Sequence, residues 1–282
     1  MKAPSKRLFT AFARLAKDMG PASPAKEVHR LRTTARRIEA LTAYLPEKVR
    51  DKNEDLLDEI HAIRKKSGKV RDLDVQLYLL RRVGNEAQRP QFEVLENRLL
   101  EKRERRAEKL YKEVRVLQRK KWLNRLDKLS QQIADSPVEE LRKDHPLQNA
   151  QEKLRILAAR YPDSVSMVDP EELHQLRIEL KKIRYTAELA GKDVATRKFT
   201  AALEKTQDAI GEWHDWLTLS EAAEEALNNY VSSGILMQLR SLTTSAFSSA
   251  IQSVTELLSA EKAPQKKTPR AASARARVSR SA

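Results

Sequence analysis

The chain has 282 residues, a net charge of +15, no cysteine, six glycines and 5% aromatic residues. That length leaves room for one large domain or two ordinary ones. Without cysteine there is no disulfide framework and no thiolate chemistry, and no run of about 18 apolar residues is present to make a membrane span. Leu, Ala, Glu, Lys and Arg dominate, which predicts an all-α protein. The charge predicts an acidic partner: nucleic acid, anionic lipid or another polyanion. A cytoplasmic location fits this composition.

The predicted elements follow from helix punctuation. The first 20 residues alternate basic and apolar positions and read as an amphipathic helix; they lack the continuous apolar core of a secretory signal. Ser23-Pro24 reads as an N-cap with Pro at the first helical position, opening a helix that Pro46 ends. Helices follow at 48–67 and 70–83, with Gly68 between them, then a long charged helix over 90–134. The stretch "ADSPVEELRKDHP" reads as a linker. Helices are next expected at 147–160 and 169–190, the latter opened by Asp169 and Glu172 at the spacing of a capping box. Two more at 193–209 and 212–231 flank Gly211, and the last covers 234–259. Residues 261–282, rich in Ala, Ser, Pro, Lys and Arg, are expected to be disordered. This tail carries +6, leaving +9 on the preceding 260 residues.

One phrase occurs twice. "VHRLRTTARRIEALTAYL" covers 28–45 and "LHQLRIELKKIRYTAELA" covers 173–190. Each has His, Arg three residues on, and two basic residues at plus seven and plus eight. Gly68 and Gly211 each precede an aspartate by four residues, Asp72 and Asp215. The two pairs of features share nearly one offset, 145 and 143 residues, which argues for two copies of a helical unit of roughly 140 residues. On a helix, His174, Arg177, Lys181 and Arg184 form a stripe under about 90° wide. Leu173, Leu176, Leu180, Ile183 and Ala187 lie beside it as the core face. The first copy repeats this with His29, Arg32 and Arg36 against Val28, Leu31, Ala35 and Ile38. Arg37 and Lys182 fall on the far flank. Ordinary solvated helix faces mix charge signs to gain i,i+4 pairs. These stripes scarcely do, and a linear polyanion would relieve their repulsion.

Other chemistry is weaker. Glu171-x-x-His174 has the spacing of a di-iron bundle motif, but the required second copy is absent; the nearest is Asp58-x-x-His61. His214-Asp215 has the form of a phosphohydrolase metal pair, yet its counterpart is Arg71-Asp72, and Arg is no metal ligand. Asp215 therefore reads as structural, near a helix start. His61 and His145 read as structural or exposed. No glycine-rich phosphate loop or nucleophile elbow is present. Trp213 and Trp216 read as core anchors. No catalytic residue, metal or cofactor is expected.

The second phrase resembles the hallmark helix of the CHAD family, the conserved histidine α-helical domain, at His174, Arg177, Lys181, Lys182, Arg184 and Tyr185. The first phrase resembles the matching helix at His29, Arg32, Arg36 and Arg37. "SGKVRDLDVQLYLL" is similar to the family's Gly-x-x-Arg-Asp segment at Gly68, Arg71 and Asp72. The resemblance covers about 5–258. It implies two four-helix bundles related by pseudo-two-fold symmetry, with halves at about 5–134 and 146–260 of a domain spanning 1–260. It also implies a basic central groove that binds inorganic polyphosphate through these residues, and so an association with polyphosphate granules. Relatives often follow a CYTH triphosphatase domain; none is seen here, so the expectation is a binding protein and not an enzyme. The copies differ: Glu39-Ala40 stands where the second has Arg184-Tyr185, and His214 stands where the first has Arg71. Two other readings compete: a nucleic-acid-associated protein using the basic tail, and a phosphohydrolase.

Overall fold

The computed structural model describes residues 2–42, 45–83, 88–119, 121–135, 145–161, 169–188, 190–191, 193–228 and 233–262. Among these, ten helices and no strand occur: α1 (Lys2–Asp18), α2 (Ala25–Thr42), α3 (Glu47–Lys52), α4 (Glu54–Val83), α5 (Arg89–Gln118), α6 (Trp122–Asp135), α7 (Pro146–Arg160), α8 (Pro170–Glu188), α9 (Val194–Ala226) and α10 (Gly234–Lys262). In the second half each helix packs on the next and α10 returns to α7, closing a four-helix bundle. In the first half α2 packs on α1 and α4, and α4 on α5. There α6 closes the ring against α1, so α5 and α6 together serve as the fourth helix.

Each helix buries the face its sequence marks as apolar. Val28, Leu31, Ala35 and Ile38 of α2 join Phe12, Ile60, Ile63, Leu110 and Leu129 in the first core. Leu173, Leu176, Leu180, Ile183 and Ala187 of α8 join Leu154, Leu203, Ile210, Trp213 and Val254 in the second. A third cluster joins the halves: Leu73, Leu77, Leu80, Leu95 and Leu99 meet Trp216, Leu219, Leu227, Ile235 and Leu239. Both tryptophans are thus core anchors, as expected. Lys102 Nζ donates to Glu225 across this seam at 2.8 Å, and Arg98 pairs with the same carboxylate.

Some boundaries differ from expectation. Ser23 does not cap α2: its buried hydroxyl accepts the Gly20 N–H at 2.9 Å, and the Pro24 carbonyl accepts from Glu27 and Val28. Asp169 does cap α8, accepting the Glu172 N–H at 2.8 Å. Asp193 caps α9 in the same way, through Thr196 N–H at 2.9 Å. The long helix expected over 90–134 breaks before Lys121, whose φ is 47°. The break lets Trp122, Leu126, Leu129 and Ile133 enter the first core. Helices α4 and α9 run unbroken through Gly68 and Gly211, so neither glycine is a boundary and Asp215 lies inside a helix. Glu261 and Lys262 extend α10 instead of belonging to the tail; residues 263–282, and most of the linker, 136–144, lie outside the described residues.

Candidate functional site

Burying Val28, Leu31, Ala35 and Ile38 leaves α2 no choice but to turn His29, Arg32 and Arg36 toward its neighbours or water. The same logic on α8 places His174, Arg177, Lys181 and Arg184. The two stripes then meet. Arg32 and Arg36 both lie within Coulombic reach of Lys181, and Arg32 within reach of Arg177. These pairs hold equivalent positions in the two copies. Arg36 also sits 5.0 Å from the Tyr185 ring centre, with Arg184 5.2 Å from the same ring. One aromatic ring therefore holds guanidiniums from both halves, a cation–π arrangement.

Helices α4 and α9 supply the neighbouring groups. Arg71 acts on His29, and His214 lies with its ring centre 5.6 Å from that of His174, edge to face. Arg64, which the sequence reading missed, acts on Arg36. It lies four residues before Gly68 and seven before Arg71, on the same helix face, and that spacing was the available signal. The structure thus gathers His29, Arg32, Arg36, Arg71, His174, Arg177, Lys181 and Arg184. Arg37 and Lys182 are exposed and are not among the main charges acting on Arg36 or Lys181.

The glycines explain how the arginines fit. A Cβ on Gly68 would lie 3.4 Å from Arg32 Nε, and one on Gly211 would lie 3.2 Å from Arg177 Nη2. A mid-helix glycine costs about 1 kcal/mol relative to alanine. Here it makes room for a guanidinium against the helix backbone, once in each copy. Arg32 Nε and Arg177 Nε are buried and meet no acceptor among the described residues. An unpaired buried N–H of a charged group is costly, and an oxyanion would satisfy it.

The electrostatics reflect this crowding. Burial, then Arg177, Arg36, Arg32 and Arg184, push the Lys181 ammonium down to about 8. Burial and neighbouring guanidiniums push Arg36 down to about 10, so it stays charged at neutral pH. His29 and His214 are lowered, chiefly by burial and then by nearby arginines. Three carboxylates also face the cluster, since Asp215, Asp72 and Asp208 all act on Arg177. Burial pushes Asp215 up to about 6 against the pull of Arg177, and the like charge of Asp72 adds to the rise. Asp72 is raised too, but it remains exposed and water limits the effect. Among the described residues, Arg32, Arg36, Arg71, Arg177 and Lys181 make no ion pair within 4.0 Å, whereas Arg64 and Arg184 do. No group of three metal-ligating side chains forms among the described residues. A hollow between the α3–α4 junction and α6, lined by Asp51, Lys52, Arg125 and Gln132, mixes charge signs and lacks the single-sign field of the cluster.

The model of the CHAD domain matches residues 7–224 of the chain. The chain belongs to the CHAD family. Its match falls within the region of resemblance and takes in both basic stripes and both Gly/Asp segments. Among solved structures, the CHAD domain from the plant Ricinus communis is similar at a TM-score of 0.59 and 17% identity, covering 92% of this chain and 90% of that one. PptA from Streptomyces chartreusis is similar at 0.58 and 16% identity, covering 93% and 97%. These likenesses carry the CHAD fold. No curated protein matches the chain. None of the helices is long and apolar enough to cross a membrane among the described residues.

Proposed function

We propose that this CHAD protein binds inorganic polyphosphate along a basic groove between its halves, by charge and hydrogen bonding and without catalysis. His29, Arg32, Arg36 and Arg71 form one rail; His174, Arg177, Lys181 and Arg184 form the other. Arg37 and Lys182 serve as outlying contacts. A cytoplasmic protein associated with polyphosphate granules is the corresponding cellular reading. One observation carries the proposal: Arg32 and Arg36 from one copy and Arg177 and Lys181 at the equivalent positions of the other converge on one place, with no ion pair among the described residues. A polymer of phosphates can neutralise a row of such cations, whereas a single small anion reaches only one or two.

The test is a chain-length series. Arg177→Ala, Lys181→Ala and Arg184→Ala together should weaken long polyphosphate by roughly 100-fold or more, the worth of three charge-assisted contacts at about 1 kcal/mol or above each. Residual binding should persist through Arg32, Arg36 and Arg71, and changing both rails should remove it. Short chains should bind poorly even to the unaltered protein, because they gain no effective concentration from the second rail. Two independent sites, with affinity flat in chain length, would refute the shared groove. Polyphosphate should also displace DNA at equal phosphate, and ending the chain at residue 262, the end of α10, should weaken only DNA binding. Release of orthophosphate on incubation would refute the non-catalytic reading.

A further inference from the structure

We propose that Glu39 and Glu204 are specificity-determining residues that set how far a polyphosphate chain extends along the cluster. The inference rests on the polyphosphate reading above. The offset of 145 residues places Glu39 where the second copy has Arg184. Symmetry would put a second arginine there; instead Glu39 holds Arg64 Nε at 2.5 Å and His61 Nδ1 at 3.0 Å. Arg184 is held by Glu204 at 3.1 Å and by Glu188 at 3.5 Å. Both arginines act on Arg36, so both lie at the same end of the cluster, where Tyr185 stacks against Arg36 and Arg184.

The consequence is a graded site. Among the described residues, Arg32, Arg36, Arg177 and Lys181 make no ion pair within 4.0 Å, so phosphates engage them first. Arg64 and Arg184 become available only when a phosphate displaces a carboxylate. Glu204 is 59% exposed over an Arg184 side chain that is 16% exposed. It can swing into water, and a pair with one solvated partner is weak. Only a chain long enough to reach past the central cations gains from that exchange. The two carboxylates thus hold down the affinity for long chains at the far end and leave short ones at the centre untouched.

The experiment compares tripolyphosphate with long-chain polyphosphate on the full chain, for the unaltered protein, Glu39→Gln, Glu204→Gln and both together. Glu225→Gln is the control: it removes the same charge from the outer pair with Arg98 and Lys102. Long-chain affinity should rise about threefold per site, the worth of a weak ion pair, with tripolyphosphate unchanged and the control flat. An equal rise for both probes, or an equal rise in the control, would reduce the effect to net charge and overturn the inference. A loss of long-chain affinity would also overturn it, by showing that the carboxylates position the guanidiniums. If the unaltered protein binds neither probe, the polyphosphate reading fails and takes this inference with it. If it binds long chains and the variants leave length preference untouched, the inference alone fails.

Discussion

At Asp215, burial and neighbouring charge pull in opposite directions. Its carboxyl sits among cations, yet burial and Asp72 hold it up to about 6. Above that value it places a negative charge beside Arg177 and opposes a polyanion. We predict that polyphosphate binding tightens as pH falls through about 6, with His29 and His214 adding positive charge at lower pH because both are depressed. Asp215→Asn should tighten binding at pH 7.5 by about fivefold and flatten the slope between pH 5 and 7.5. An unchanged slope in a titration series would show that the histidines alone set it. Stability follows the same sign. A carboxyl raised in the folded state contributes stability that is complete below its unfolded value near 3.8 and is lost as pH rises through about 6. Full conversion of that difference gives about 3 kcal/mol, and screening by water leaves about 1 kcal/mol. The Asn variant should gain that amount at pH 7.5 in chemical denaturation.

At the scale of elements, the two glycines show what a pattern read from sequence reaches and where it stops. The amphipathic faces of α2 and α8 were legible, because burial follows the 3.6-residue period directly. The stripes were legible for the same reason. Gly68 and Gly211 were read as breaks, since glycine usually punctuates; their use is set by arginines 36 and 34 residues earlier in the chain, which no local pattern reveals. The break before Lys121 was hidden because "QRKKW" carries no Gly or Pro; it is imposed by the α6 apolar face seeking α1. Glu39 was visible as a departure from the repeat, but its grip on Arg64 needed the α2–α4 packing. Gly211→Ala tests the arginine explanation. The helix gains up to about 1 kcal/mol in propensity, and the methyl meets only the flexible end of Arg177. Thermal denaturation should show equal or greater stability, while polyphosphate affinity falls several-fold as the guanidinium is displaced. A large destabilisation would mean that the glycine serves backbone packing instead.

For the whole molecule, the cations from two copies face one another at a seam that Leu73, Leu77, Trp216 and Leu219 hold together. Hydrophobic contact therefore holds like charges in proximity, and the repulsion is part of the resting structure. Dissolved salt then has two opposite effects. Screening ions weaken attraction for a polyanion, and the logarithm of affinity should fall steeply with the logarithm of salt concentration, as in counterion release from DNA. The same ions relieve the repulsion between Arg32, Arg36, Arg177 and Lys181, so the ligand-free protein should melt at a higher temperature as salt rises. Melting temperature and affinity, followed over one salt series, should move in opposite directions. The seam thus acts as a compressed spring that hydrophobic contact keeps closed, and in dilute salt a bound polyanion would relax it.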